Sequence, residues 1–184
     1  SHAWRCNSTT TQAMTLDASG NLLVGVTSAN ANGGVLQLKS GITFPATQVA
    51  ASDANTLDDY EEGTWLGTIG GTTTNPTTPV LATGRYTKIG RQVSVEIGFY
   101  GDTAGASGRI TVSGLPFTSN AILSRPGVIA IDTMGTFTGS PIAYLAPGVT
   151  IVELLASNSN ASLSNVTHNA GAGRALYMEL TYTV

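Results

Sequence analysis

Four carboxylates crowd into six residues, Asp58-Asp59-Tyr60-Glu61-Glu62-Gly63, out of eleven acids in the whole chain. Hard cations such as Ca²⁺ are held by carboxylate and carbonyl oxygens, so Asp58, Asp59, Glu61 and Glu62 are candidate ligands for a structural cation. The spacing does not reproduce an EF-hand loop. Adjacent acids also serve in turns that pair with nearby bases, and Arg85, Lys88 and Arg91, of this chain or of a neighbouring copy, are at hand. The second reading carries more weight, and no cofactor is expected.

Paired carboxylates can also cleave glycosidic bonds, when an acid and a base or nucleophile stand about 5 to 9.5 Å apart. Asp53 stands near the acidic box, and beyond it the acids are few: Asp17, Glu96, Asp102, Asp132, Glu153 and Glu179. Glu96 and Glu179 sit in alternating segments, opposite apolar faces. Histidine chemistry has little to work with. His2 lies at the chain's start, and His168 lies in the polar stretch Asn165 to Gly171, where a solvated loop side chain is expected. No G-x-S-x-G elbow accompanies it. Cys6 is the single cysteine, which excludes an internal disulfide and, with two histidines, argues against a zinc centre. There is no phosphate-binding or dinucleotide loop. An enzyme is not expected.

Sugar recognition needs different parts: an aromatic face flanked by short polar side chains. The loops are rich in Asn, Ser and Thr. Beside or within them stand Tyr100, Phe137 and Tyr144, with Asp102, Asn158, Asn160, His168 and Asn169. These eight are the candidate receptor-binding residues. Large rings more commonly fill cores or subunit contacts. Trp65 in particular is expected to be packed.

The elements that must hold these residues are strands. In Arg91 to Tyr100, Val93, Val95, Ile97 and Phe99 share one face. At the C-terminus Leu176, Met178, Leu180, Tyr182 and Val184 alternate with Tyr177, Glu179, Thr181 and Thr183. Shorter runs are expected at Met14 to Asp17, Leu22 to Val26, Val35 to Leu38, Thr64 to Ile69, Arg109 to Ser113, Val128 to Thr133, Ile142 to Leu145 and Val149 to Leu155. Gly- and Asn-rich turns separate them. No sustained helical periodicity appears. Ile151 to Ala156 is short enough to be helical or extended, and a buried strand fits better.

Three parts are expected: residues 1–44 as a short β stalk, 45–63 as an acidic connector, and 64–184 as a β-sandwich. Gly70 to Pro79 reads as an exposed loop, and tip loops are expected at 70–79, 101–108, 118–126, 134–141 and 157–174. Only 10% of the 184 residues are charged, against about 25% in an average soluble domain. The net charge is −3, with eight scattered basic residues. That offers no face for nucleic acid and no attraction to an anionic membrane, and no run is long enough for a membrane helix. Low charge with ordinary apolar content suggests surface hidden against copies of the same chain. The first 44 residues carry strands with little to pack on, and three copies around an axis would supply partners. The chain lacks an initial Met, and Ser1-His2 reads as a cloning remnant, so a fragment of a longer protein is expected.

Several segments together resemble the C-terminal domain of bacteriophage tail fibres and receptor-binding proteins. They are the run Met14 to Ser28 (MTLDASGNLLVGVTS), the segment Gly41 to Gln48, the decapeptide Thr56 to Trp65 (TLDDYEEGTW), Gly84 to Arg91 (GRYTKIGR) and Ile110 to Phe117 (ITVSGLPF). The decapeptide is the most specific of these. The resemblance covers most of the chain from about Trp4 and is carried by residues 14 to 117. It implies an all-β parallel homotrimer, with a trimeric β stalk and a jelly-roll-like β-sandwich tip. It also implies a virion location, extracellular in action, and attachment to a bacterial surface polysaccharide or protein receptor. The alternatives are a purely structural trimerisation cap and a capsule-degrading tailspike fragment.

Overall fold

The computed structural model describes residues 2–5, 12–20, 22–24, 36–38, 41–45, 57–122, 125–159 and 161–184. Every regular element among them is a strand. The chain divides into two compact units, Ser1–Pro45 and Ala46–Val184.

The first unit holds β1 (His2–Arg5), β2 (Gln12–Leu16), β3 (Leu22–Val24) and β4 (Leu36–Leu38), hydrogen-bonded in that order. The first two pairings are antiparallel, and β3 pairs β4 in parallel. A tight turn joins β2 to β3. The Asp17 carboxylate accepts from the Ser19 amide at 2.9 Å, and Gly20 takes the positive φ that the turn requires.

The second unit is a closed barrel. Its strands are β5 (Tyr60–Gly71), β6 (Val80–Ile89), β7 (Gln92–Gly101), β8 (Ile110–Ser113), β9 (Arg125–Asp132), β11 (Ser140–Leu145), β12 (Ile151–Ser157) and β15 (Arg174–Thr183). Three two-residue pieces decorate it: β10 (Gly135–Thr136), β13 (Ser164–Asn165) and β14 (Thr167–His168). Around the wall the order is β5-β6-β7-β15-β9-β11-β12-β8, and β8 returns to β5. All eight pairings are antiparallel. The order contains two Greek keys, β8-β5-β6-β7 and β15-β9-β11-β12, each with its fourth strand returning beside its first. Closure leaves the wall no free edge strand for another chain to extend.

Alternation supplies the core. Val93, Val95, Ile97 and Phe99 of β7 lie in register with Tyr182, Leu180, Met178 and Leu176 of β15, and all eight are buried. Eight strands enclose a space that side chains just fill. Ile69, Ile110, Val112, Leu145, Val152 and Leu154 complete it. Residues 151–156 form a strand, as expected. The segment Tyr60–Gly63, read from sequence as connector, is instead the start of β5.

The barrel has two unlike ends. At the base the chain enters at residues 57–59 and ends at Val184, and the turns there include the tight one at Gly90-Arg91. The base segments are tied together: Gly90 donates to Asp59 O at 2.9 Å, Asn120 to Thr183 O at 2.7 Å and Val184 to Arg91 O at 2.9 Å. At the opposite end, the rim, stand the four long connections 72–79, 102–109, 133–139 and 158–173. Of the stretch 118–126, expected among the tip loops, residues 118–122 belong to the base, because β8 runs toward the base and β9 starts from it, while 123 and 124 lie outside the described residues.

Candidate functional site

In β5 the pleat sends Glu61, Gly63 and Trp65 into the barrel and Tyr60, Glu62, Thr64 and Leu66 outward, and Asp59, just before the strand, is buried with the first set. On β6 their cross-strand neighbours include Lys88 beside Glu61, Tyr86 beside Gly63, and Gly84 beside Trp65. The inward groups lock together at the base. Lys88 Nζ forms an ion pair with Asp59 Oδ2, and both side chains are buried. The Tyr86 hydroxyl donates to Glu61. Its ring lies across Gly63, where a Cβ would stand 2.6 Å from the phenolic oxygen. Phe117 closes the plug. Its ring meets Tyr86 edge-on at 5.4 Å and sits 5.6 Å under Lys88 Nζ. Its backbone carbonyl accepts from the Tyr182 hydroxyl at 3.0 Å.

These environments move the titrations. Burial pulls the Lys88 ammonium below its ordinary range, against the carboxylate of Asp58, which pulls it up. The bond to Glu61, then burial, pushes Tyr86 up to about 12. Burial does the same to Tyr182, to about 12.

The acidic box therefore does not converge as a cage. Asp59 goes to Lys88, Glu61 to Tyr86 and Glu62 to the Tyr60 hydroxyl, and the negative charge of Asp58 acts on Lys88. Among the described residues no three His, Cys, Asp or Glu side chains gather where a metal could sit. Of the bases named as partners for the box, Lys88 forms the ion pair, and it belongs to the same chain.

Six of the candidate receptor residues lie at the rim: Tyr100, Asp102, Phe137, Asn158, His168 and Asn169. Tyr100 ends β7, 66% exposed, with its hydroxyl 2.5 Å from that of Tyr177 and the two rings edge-to-face at 5.6 Å. Asp102 clamps two loops: its Oδ1 accepts from the amides of Ala104 at 2.9 Å and Gly171 at 2.7 Å. Asn169 Nδ2 donates to Thr133 O at 2.9 Å. Thr133 has φ 69°, a left-handed conformation that β-branched residues avoid, so Asn169 helps hold a strained turn. His168 is not the solvated loop residue expected. It lies in β14, packed over Gly71, with both ring nitrogens shielded and without a hydrogen-bond partner, and burial pushes its pKa down.

Phe137 packs against the core. Tyr144 stands on the wall in β11, in register with Glu153. Asn158 donates to Ser164 Oγ at 3.0 Å and covers the turn at Gly139. Asn160 and the residues of Gly41 to Gln48 beyond Pro45 lie outside the described residues. Trp65 is packed, at 5% exposure.

Two groupings escaped the sequence reading. Arg109, just before β8, donates to Glu153 of β12 and to Asn165 Oδ1 of β13. Glu96 and Glu179 are direct cross-strand neighbours on the outer wall, beside Arg85. Neither could be read from local pattern, since each pair joins strands distant in sequence. No protein-family model and no curated protein matches this chain.

Proposed function

We propose that the chain is the tip of a virion tail fibre that attaches to a bacterial surface receptor, a glycan in the first instance, without covalent chemistry. One observation carries the reading: the four long polar loops gather at the barrel end opposite the one where the chain enters and leaves. A module anchored at its base presents that rim to a partner, and rigid walls with variable loops are the usual division of labour in binding proteins. The resemblance of Thr56 to Trp65 to phage fibre sequences agrees with it. Three copies side by side, with a jelly-roll-like tip on a trimeric stalk, would raise weak single-site affinity through multivalency.

Adsorption of the labelled full chain to a panel of bacterial cells tests the proposal. Saturable binding, removed by stripping surface polysaccharide, is the expected result. Absence of binding to every strain would defeat it.

A second reading has its own support. Rim groups that would meet a receptor are spent internally, Asp102 on Ala104 and Gly171 and Asn169 on Thr133. That economy suits a structural cap, for which the chain would assemble as a trimer and bind no cell.

A further inference from the structure

The outer wall across β5, β6, β7, β15 and β9 is hollowed by two adjoining depressions of about 480 and 590 Å³. They share Arg85, Glu96 and Glu179 and so form one trough along the strands. Three bands cross it. Nearest the rim, Tyr177 lies over Gly98, where a Cβ would come within 3.0 Å of the ring, and its hydroxyl is fixed by Tyr100. In the middle, Arg85, Glu96 and Glu179 stand side by side on three strands. Nearest the base, Thr87, Ser94 and Thr181 follow, with the last two hydrogen-bonded at 3.0 Å.

Like charges directly opposite one another destabilise a sheet. Among the described residues neither the Glu96 nor the Glu179 carboxylate has an ion-pair or hydrogen-bond partner. Two carboxylates so placed present acceptors to a ligand rich in donors, and Arg85 supplies planar donors beside them. An aromatic face at one end and hydroxyls at the other continue the same chemistry. Tyr100 to Ser94 spans about 20 Å of strand, room for several rings of an extended chain.

We propose that this trough binds a linear oligosaccharide, lying along the strands, whose rings are neutral or carry amino groups. The sugar's C–H face stacks on Tyr177, and adjacent hydroxyls or an ammonium donate to Glu96 and Glu179. With two carboxylates against one guanidinium in the middle band, the trough disfavours uronate-bearing chains. The inference rests on the attachment reading but moves the contact from the rim loops to the wall.

The test is NMR or calorimetric titration of the full chain with maltohexaose, chitohexaose, its deacetylated form and a galacturonate hexamer. Binding of at least one of the first three, with none of the fourth, is expected. E96Q/E179Q and, separately, Tyr177→Ala should each weaken it about tenfold while leaving the mass in solution unchanged, and E96Q/E179Q should hold or raise the melting temperature because it removes the like-charge pair. Silence toward the first three, or perturbations confined to the rim loops, overturns the proposal. A change in mass with either variant also overturns it, by making the wall a contact between copies. Cell adsorption is followed in parallel. If both trough variants adsorb like the parent, the trough fails and the attachment reading stands. If the parent itself does not adsorb, the attachment reading fails.

Discussion

Lys88 and Asp59 form an ion pair inside the base of the barrel, with exposures of 4% and 5%. Removing one partner strands a charge in a poorly solvated site. Asp59→Asn should lower unfolding free energy by about 3 kcal/mol or more. Combining it with Lys88→Met should recover much of that loss, because the penalty belongs to the unpaired charge. Urea denaturation of the three variants checks this, and simple additivity would contradict it.

Gly84 faces the Trp65 indole across the β5–β6 pair. A Cβ there would stand 2.5 Å from Trp65 Nε1 and 2.5 Å from the Glu96 carbonyl oxygen. Gly84→Ala should therefore cost about 1–3 kcal/mol through overpacking. Adding Trp65→Phe should relieve only the indole clash, because the second obstacle is backbone. Thermal melts of the single and double variants read the difference.

Alkaline pH should open the base. Tyr86 and Tyr182 ionise near 12 in the native chain, against about 10 when unfolded. The stability held in their neutral forms is complete below pH 10 and lost as pH rises from 10 to 12. Lys88 acts in the opposite sense, since its native pKa is lowered. Its contribution rises with pH but is finished once the unfolded lysine has also lost its proton, near 10.5. The fall should thus be clearest above pH 10.5. Urea midpoints from pH 9 to 12 measure it, and Tyr182→Phe should make the fall shallower.

Asp102 is the joint between two rim loops. Asp102→Ala should speed amide exchange at Ala104 and Gly171, the donors to its carboxylate. Its effect on global stability should be about 1 kcal/mol. Hydrogen exchange followed by mass spectrometry checks the locality of the effect. Under the attachment reading the same variant should also weaken cell adsorption.

How much of this was legible beforehand varies by element. Period-two alternation marked β7 and β15 without help, because each sends large apolar side chains to one face. β6 hid from that test. Its inward positions are Val80, Ala82, Gly84, Tyr86 and Lys88, small or polar because β5 fills the space opposite with Trp65 and needs a base beside its acids. Only the resemblance of Gly84 to Arg91 pointed to a strand there. The first residues of β5 hid for the same reason: acids on an inward face look like a connector until their partners are known. His168 looked like a surface loop residue, and a two-residue pairing with Gly135 draws it under cover.

By itself the sequence determined that the regular elements of the described residues are strands, where the strongest of them run, and which of their faces turn inward. Those properties depend on neighbours two residues apart. The closed order of strands, the gathering of four loops at one rim, the lock around Lys88 and the pairing of Glu96 with Glu179 were decided by tertiary structure alone. Each depends on which distant strands lie side by side, and hydrogen-bond ladders between such strands leave no local trace in the residues that form them.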